Sequence, residues 1–240
     1  MSSRVALFVP CLSEHFDVRA AEATARLLLH LGVELDYPKA QTCCGQPFRT
    51  AGDPKSAQAL ACRMDKVFAH ASIVVTPSAS CAAMLRRHVG PLAIATKVRE
   101  LGELLVERGF DASTVEWPGH ATYHPSCHGR DLGADHTLAI LSRVRGLTLT
   151  PLPNASQCCG FGGSFATKFA SVSVALGQDK VANAAATKAT TFIANDGGCR
   201  LHLRSLGALG ASPLELKHMA EILAEGLHLM PRPPRLAVAS

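Results

Sequence analysis

Thr42-Cys43-Cys44-Gly45-Gln46-Pro47 returns 115 residues later as Gln157-Cys158-Cys159-Gly160-Phe161-Gly162. Working outward, Cys11 matches Cys127 at an offset of 116 and Cys81 matches Cys199 at an offset of 118. Other residues keep the register, Asp65-Lys66-Val67 with Asp179-Lys180-Val181 and Leu101-Gly102-Glu103-Leu104-Leu105 with Met219-Ala220-Glu221-Ile222-Leu223. Self-similarity carried by cysteines and apolar positions together marks an internal repeat, and its period is too long for a solenoid. The chain therefore reads as two homologous domains, 1–118 and 119–229, followed by a loose tail over 230–240 that holds three prolines and no periodicity.

Each repeat presents the same order of elements. Val5–Val9 reads as a strand, Ala20–Leu31 as a helix with apolar residues at helical spacing, and Val33–Tyr37 as a short strand. The Gln41–Gly52 loop is expected to lack regular structure because of Gly45, Pro47 and Gly52. A helix from Pro54 to Ala69 and a buried strand Ile73–Thr76 follow, and the strand runs into Pro77-Ser78-Ala79-Ser80-Cys81. The second repeat reads as strand Ala121–His124, helix Thr137–Val144, strand Leu147–Leu152, loop Gln157–Thr167, helix Val172–Thr187 and strand Thr191–Ala194. Strands alternating with helices predict an α/β fold, each domain having a small, mostly parallel sheet flanked by helices. Ligands of such sheets gather beyond the carboxyl ends of the strands, where Cys11, Cys81, Cys127 and Cys199 fall.

Composition narrows the function. The 240 residues are 48% hydrophobic and 18% charged, which is ordinary for a globular protein. The formal charge of +5 divides into +1 before residue 120 and +4 after it, without a basic run, so nucleic acid is not an expected partner. Pro10, Cys11 and Glu14 interrupt the N-terminal apolar stretch before a signal-peptide core forms. No segment reaches the roughly 20 apolar residues of a membrane span. A cytoplasmic location is expected, where disulfides are rare and clustered cysteines point to metal or redox chemistry.

Eight of the nine cysteines obey the repeat, with spacings C-x31-C-C-x36-C and C-x30-C-C-x39-C. Four thiols per repeat is the number for a tetrahedral ion or an iron–sulfur cluster. Adjacent cysteines are awkward at one ion but can both face a multi-iron cluster, and zinc's close C-x2-4-C pairs are missing. Iron–sulfur ligation is the leading reading, with structural zinc and a metal-free thiol/disulfide enzyme as alternatives. The candidate ligands are Cys11, Cys43, Cys44 and Cys81, then Cys127, Cys158, Cys159 and Cys199. Gly45 and Gly160 let the chain turn so that backbone N–H groups approach sulfur.

Two copies of Cys…Cys-Cys-Gly…Cys, with Thr42-Cys-Cys-Gly-Gln-Pro47, Pro77-Ser-Ala-Ser-Cys81, His124-Pro-Ser-Cys-His128 and Cys158-Cys-Gly-Phe-Gly-Gly163, resemble the cysteine-rich CCG-domain proteins. Among these the chain is most similar to the short lactate utilization protein A type. It is more distantly similar to the cysteine-rich subunit of heterodisulfide reductase and to glycolate oxidase iron–sulfur subunits. The resemblance implies an iron–sulfur electron-transfer subunit, with one [4Fe-4S] cluster per repeat and companion subunits of a complex oxidising L-lactate to pyruvate. Another 2-hydroxy acid, a thiol/disulfide couple, or a zinc-stabilised interaction subunit are the alternatives. The heterodisulfide reductase pattern ends in C-x-x-C, whereas here Ser78 and Asp196 stand at the earlier position. They are candidate oxygen ligands, with four-thiolate sites favoured.

The remaining features read more simply. Cys62 aligns with Gly177 in a helix and reads as a buried structural thiol. His15, His124 and His128 flank first cysteines, and they read as hydrogen-bond partners of sulfur or as surface and capping histidines. Gly160-Phe-Gly-Gly163 lacks what a phosphate loop needs, and Lys66 and Lys180, each preceded by an aspartate, read as exposed helix pairs, with a charge facing the cluster as the alternative. No complete dinucleotide fingerprint is present, so no site for flavin or nicotinamide is evident and no catalytic residue is assigned.

Overall fold

The computed structural model describes residues 4–209 and 214–233. Strand β1 (Arg4–Leu7) is apolar throughout after its first residue, and Val5, Ala6 and Leu7 are all buried. A strand with no polar face must be covered on both sides, which is the condition of a parallel sheet with helices above and below. Accordingly β1 pairs in parallel with β2 (Glu34–Asp36) and with β3 (Val74–Thr76), and β3 pairs with β4 (Val98–Glu100). The second repeat builds β5 (Glu116–His124), β6 (Arg145–Leu149), β7 (Thr191–Ala194) and β8 (Glu215–Lys217). The sheet orders are β2-β1-β3-β4 and β6-β5-β7-β8, parallel at every pairing. The α/β architecture expected from the repeat is thus observed, with β4 and β8 as additional strands.

The first sheet is flanked by α1 (Cys11–Phe16), α2 (Val18–His30), α3 (Gln46–Thr50), α4 (Pro54–Val67), α5 (Ala79–Arg87), α6 (Ile94–Lys97) and α7 (Leu101–Glu107). The second is flanked by α8 (Cys127–Asp131), α9 (His136–Leu141), α10 (Ser164–Lys168), α11 (Ala170–Ala186), α12 (Gly197–Leu209) and α13 (Met219–Gly226). Helix α3 corrects the expectation of an irregular 41–52 loop. Gly45 sits at its N-cap in the left-handed region and Pro47 lies in its first turn, where a missing N–H costs no intrahelical bond. In the second repeat α10 likewise begins inside the expected loop.

The repeats share a core. Val5, Leu7, Leu27 and Leu28 of the first pack in one cluster with Trp117, Ile193, Ile222 and Leu223 of the second. Around Glu225 this joint becomes ionic: its carboxylate accepts from Trp117 Nε1 at 3.0 Å, Lys217 Nζ at 2.8 Å and Arg19 at 3.0 Å. The expected boundary after residue 118 falls within β5, whose register shifts between Glu116 and Gly119. Pro118-Gly119 reads locally as a break, yet the burial of Trp117 carries the strand across it. The 230–240 segment is held at its start. Met230 is buried, Pro231 O accepts from Arg19, and the Arg232 guanidinium lies 3.8 Å from the centre of the Trp117 ring. Residues 234–240 lie outside the described residues.

Glu100 caps α7 by accepting from Gly102 N at 2.6 Å, while its Oε1 is buried with no hydrogen-bond partner among the described residues. Burial pushes this carboxyl up to about 8 from an ordinary 4.5. The folded state therefore keeps a proton that the unfolded chain releases above about 4.5, and stability falls as pH rises from there to about 8. We expect Glu100→Gln, which retains the accepting oxygen, to remove this slope. In urea denaturation the variant should gain on the wild type by about 1.4 kcal/mol per pH unit across that window. Parallel pH profiles for the two proteins would show that Glu100 is ionised in the fold.

Candidate metal centre

Every candidate ligand stands at the carboxyl edge of its sheet. β1 delivers Cys11 as the first residue of α1, and β3 delivers Cys81 as the third residue of α5. In the second repeat β5 delivers Cys127 at the start of α8, and β7 delivers Cys199 as the third residue of α12. The Cys-Cys-Gly loops come from β2 and β6 and are pinned to the next long helix. Gly45 has φ 92° and a Cβ there would sit 2.8 Å from Ala57 O, while Gly160 has φ 89° and a Cβ would sit 2.4 Å from Ser173 O. Only glycine tolerates both the left-handed backbone and that approach. The same turn aims Gly45 N and Gly160 N at Cys43 Sγ and Cys158 Sγ, each at 3.4 Å.

The thiols of each set converge. Cys44 and Cys81 Sγ are 3.3 Å apart, and Cys159 and Cys199 Sγ are 2.9 Å apart, all four residues buried. The neighbouring Cys11 and Cys44 side chains, with the Gly45 N–H, draw Cys43 down to about 3 against the opposing effect of burial. The neighbouring Cys127 and Cys159 side chains, together with the Gly160 N–H, draw Cys158 down to about 2. Cys11, Cys44, Cys127 and Cys159 are pushed up, chiefly by hydrogen bonding to neighbouring sulfurs and then by burial. In each set one cysteine is drawn toward the thiolate, and the neighbours on its flanks are held toward the protonated thiol. A thiophilic metal displaces those protons, so the donor chemistry fits such a group in both repeats.

All eight thiols line one cleft of about 500 Å³ between the repeats, together with Ser78, Asp196, His128 and the Phe161–Gly163 loop. Ser78 and Asp196 occupy matching positions and bond each other across the cleft floor. Asp196 accepts from Ser78 Oγ at 2.8 Å, from Ser80 N at 3.2 Å and from Ser80 Oγ. Ser78 also caps α5, accepting from Cys81 N at 3.4 Å. His128 crosses between repeats, one ring nitrogen 3.1 Å from Gln46 Nε2 and the other 3.6 Å from Cys127 Sγ.

A model of the cysteine-rich CCG domain matches residues 5–86 and again 121–204, each match holding one thiol set. The chain belongs to the CCG cysteine-rich domain family. Its two CCG domains are those of the repeat, and curated relatives align with it over nearly their whole length. Lactate utilization protein A of Geobacillus thermodenitrificans is 41% identical over 92% of this chain and 98% of that protein. Lactate utilization protein A 2 of Bacillus cereus is 35% identical over 94% of this chain and 99% of that protein. Among solved structures, a glutamate racemase from Francisella tularensis covers 95% of this chain and 80% of its own with a TM-score of 0.39 and 11% identity. That likeness carries no argument.

Other residues fall into place around the two CCG thiol sets. Cys62 lies on α4, half-buried beside Gln58, and does not line the cleft. His15 is exposed against Phe16. Lys180 departs from the expected exposed position: it is buried, and its Nζ donates to Asn154 O at 2.7 Å. His124 is 1% exposed, and one of its ring nitrogens lies within 4.8 Å of both the Cys159 and Cys199 sulfurs. Burial lowers its imidazole to about 4, leaving it neutral. The strand Ala121–His124 was legible in the sequence, but the inward direction of His124 was not. Among the described residues no helix is long and apolar enough to cross a membrane.

Proposed function

We propose that this protein binds one iron–sulfur cluster per repeat and serves as an electron-transfer subunit of a system that oxidises L-lactate to pyruvate. The observation that carries the metal reading is the convergence of two four-thiol sets on one cleft. Cys11, Cys43, Cys44 and Cys81 would hold one cluster, and Cys127, Cys158, Cys159 and Cys199 the other. Bound there, such a cluster supplies the uptake and release of single electrons. The Gly45 and Gly160 N–H groups and the low-lying Cys43 and Cys158 thiolates are suited to hold it. The oxygens of Ser78 and Asp196 are engaged with each other and with Ser80, which supports all-thiolate ligation and gives these two residues the task of joining the repeats. Lactate is supported by what the relatives are named for, at 35–41% identity over most of the chain.

Oxidising a 2-hydroxy acid removes two electrons and two protons. A one-electron carrier takes no hydride, so companion subunits must supply the centre that does. Protein purified without oxygen is expected to contain iron and acid-labile sulfide in preference to zinc. Alone, it should not reduce a dye with L-lactate. Adding the companion subunits should start dye reduction, and a Cys44→Ser variant should fail to support it. Rapid lactate-dependent reduction by this chain alone would overturn the assignment.

A further inference from the structure

The two thiol sets are not copies of each other. Three residues before Cys11 stands Phe8, fully buried, its ring 6.0 Å from that of Phe68 in an edge-on arrangement. Three residues before Cys127 stands His124. The sheets confirm the equivalence, since Ala6 pairs with Val74 just as Thr122 pairs with Phe192. A phenyl ring fills this position in the first repeat without any polar requirement. His124 fills it with two buried ring nitrogens that have no hydrogen-bond partner among the described residues. Buried polar groups are almost always partnered. One of these nitrogens lies within 4.8 Å of the Cys159 and Cys199 sulfurs. Lys180 adds to the contrast. It is buried and bonds the carbonyls of Asn154 and Ala155, in the segment that leads into Cys158, whereas Lys66 at the matching position is exposed.

We propose that His124 is a positioning residue of the second site: its ring N–H donates to the Cys159 or Cys199 sulfur when that set holds its cluster, so the second site has the higher reduction potential. This rests on the iron–sulfur reading above and gives it a direction, with electrons passing from the first repeat to the second. An N–H bond to a ligating sulfur and a nearby buried ammonium both favour the more negative, reduced form. Asp196 acts in the opposite sense beside Cys127, but its carboxylate is already bound by Ser78 and Ser80. The first site has neither the imidazole nor the buried lysine.

The test begins with iron and sulfide on anaerobically reconstituted protein, since their absence would defeat the iron–sulfur reading itself. A redox titration followed by electron paramagnetic resonance should then resolve two potentials. His124→Phe should lower only the upper one, by at least tenfold in the one-electron equilibrium, or about 59 mV. Phe8→His should raise the lower one. His124→Gln, which keeps an N–H donor, should hold the upper potential near its wild-type position. Protein labelled with 15N-histidine should show weak nitrogen coupling at the site reduced first and none at the other, and His124→Phe should remove the part of it that His128, beside Cys127, does not supply. Unmoved potentials in His124→Phe at full iron content would overturn the proposal. So would the strong coupling of a directly ligating nitrogen, or its absence at both sites.

Discussion

Replacing Cys44 or Cys159 by serine should remove one cluster's share of the iron and leave the other share in place. Each thiol set is built by its own sheet edge and its own Cys-Cys-Gly loop, and the close sulfur pairs fall within repeats, Cys44 with Cys81 and Cys159 with Cys199. Losing one ligand therefore empties one set. Cys62→Ser should leave the iron unchanged, because that residue stands apart from the cleft. Iron analysis of the three purified variants decides the matter. Because all eight thiols open on a single cleft, one shared centre is the natural competitor, and loss of all iron from either single variant would establish it. Under all-thiolate ligation, Ser78→Ala and Asp196→Ala should keep both the iron and the resonance spectrum, and a changed spectrum with the iron retained would mark an oxygen ligand.

The second large effect is on stability. Glu225→Ala should destabilise the protein by about 3–5 kcal/mol, as expected when one partner of a buried ion pair is removed. Lys217 is buried and among the described residues would keep Glu215 alone, at 2.9 Å, while Trp117 Nε1 would lose its acceptor inside the core. The same carboxylate is where Arg19 of the first repeat meets the second, so both halves should unfold together at a lower urea concentration. Glu22→Ala is the matched control. It breaks only an exposed i, i+4 pair with Arg26 and should cost about 0.3–0.5 kcal/mol. Equal losses in the two variants would mean that the Glu225 network does not hold the repeats together.

The doubled thiol pattern and the alternation of apolar runs with turn residues were enough to place Cys11, Cys81, Cys127 and Cys199 at the carboxyl ends of strands in two parallel sheets. Both are local properties: a strand buried on two faces is apolar in sequence, and a ligand that follows it is found at its end. The first turn of α3 and the continuity of β5 through Pro118-Gly119 were not legible, because glycine and proline mark a break locally while tertiary packing decides whether the chain resumes. The same is true of what surrounds the site. Nothing near Ser78 in sequence points to Asp196, nor does the neighbourhood of Trp117 point to Glu225, since those partners lie 118 and 108 residues away. Likewise Phe8 and His124 occupy one position in the repeat, yet only the packed structure turns the imidazole toward Cys159 and Cys199 and leaves it without another partner. Sequence periodicity records which side of an element is buried, whereas the partner it meets there is chosen by how the two sheets close on each other.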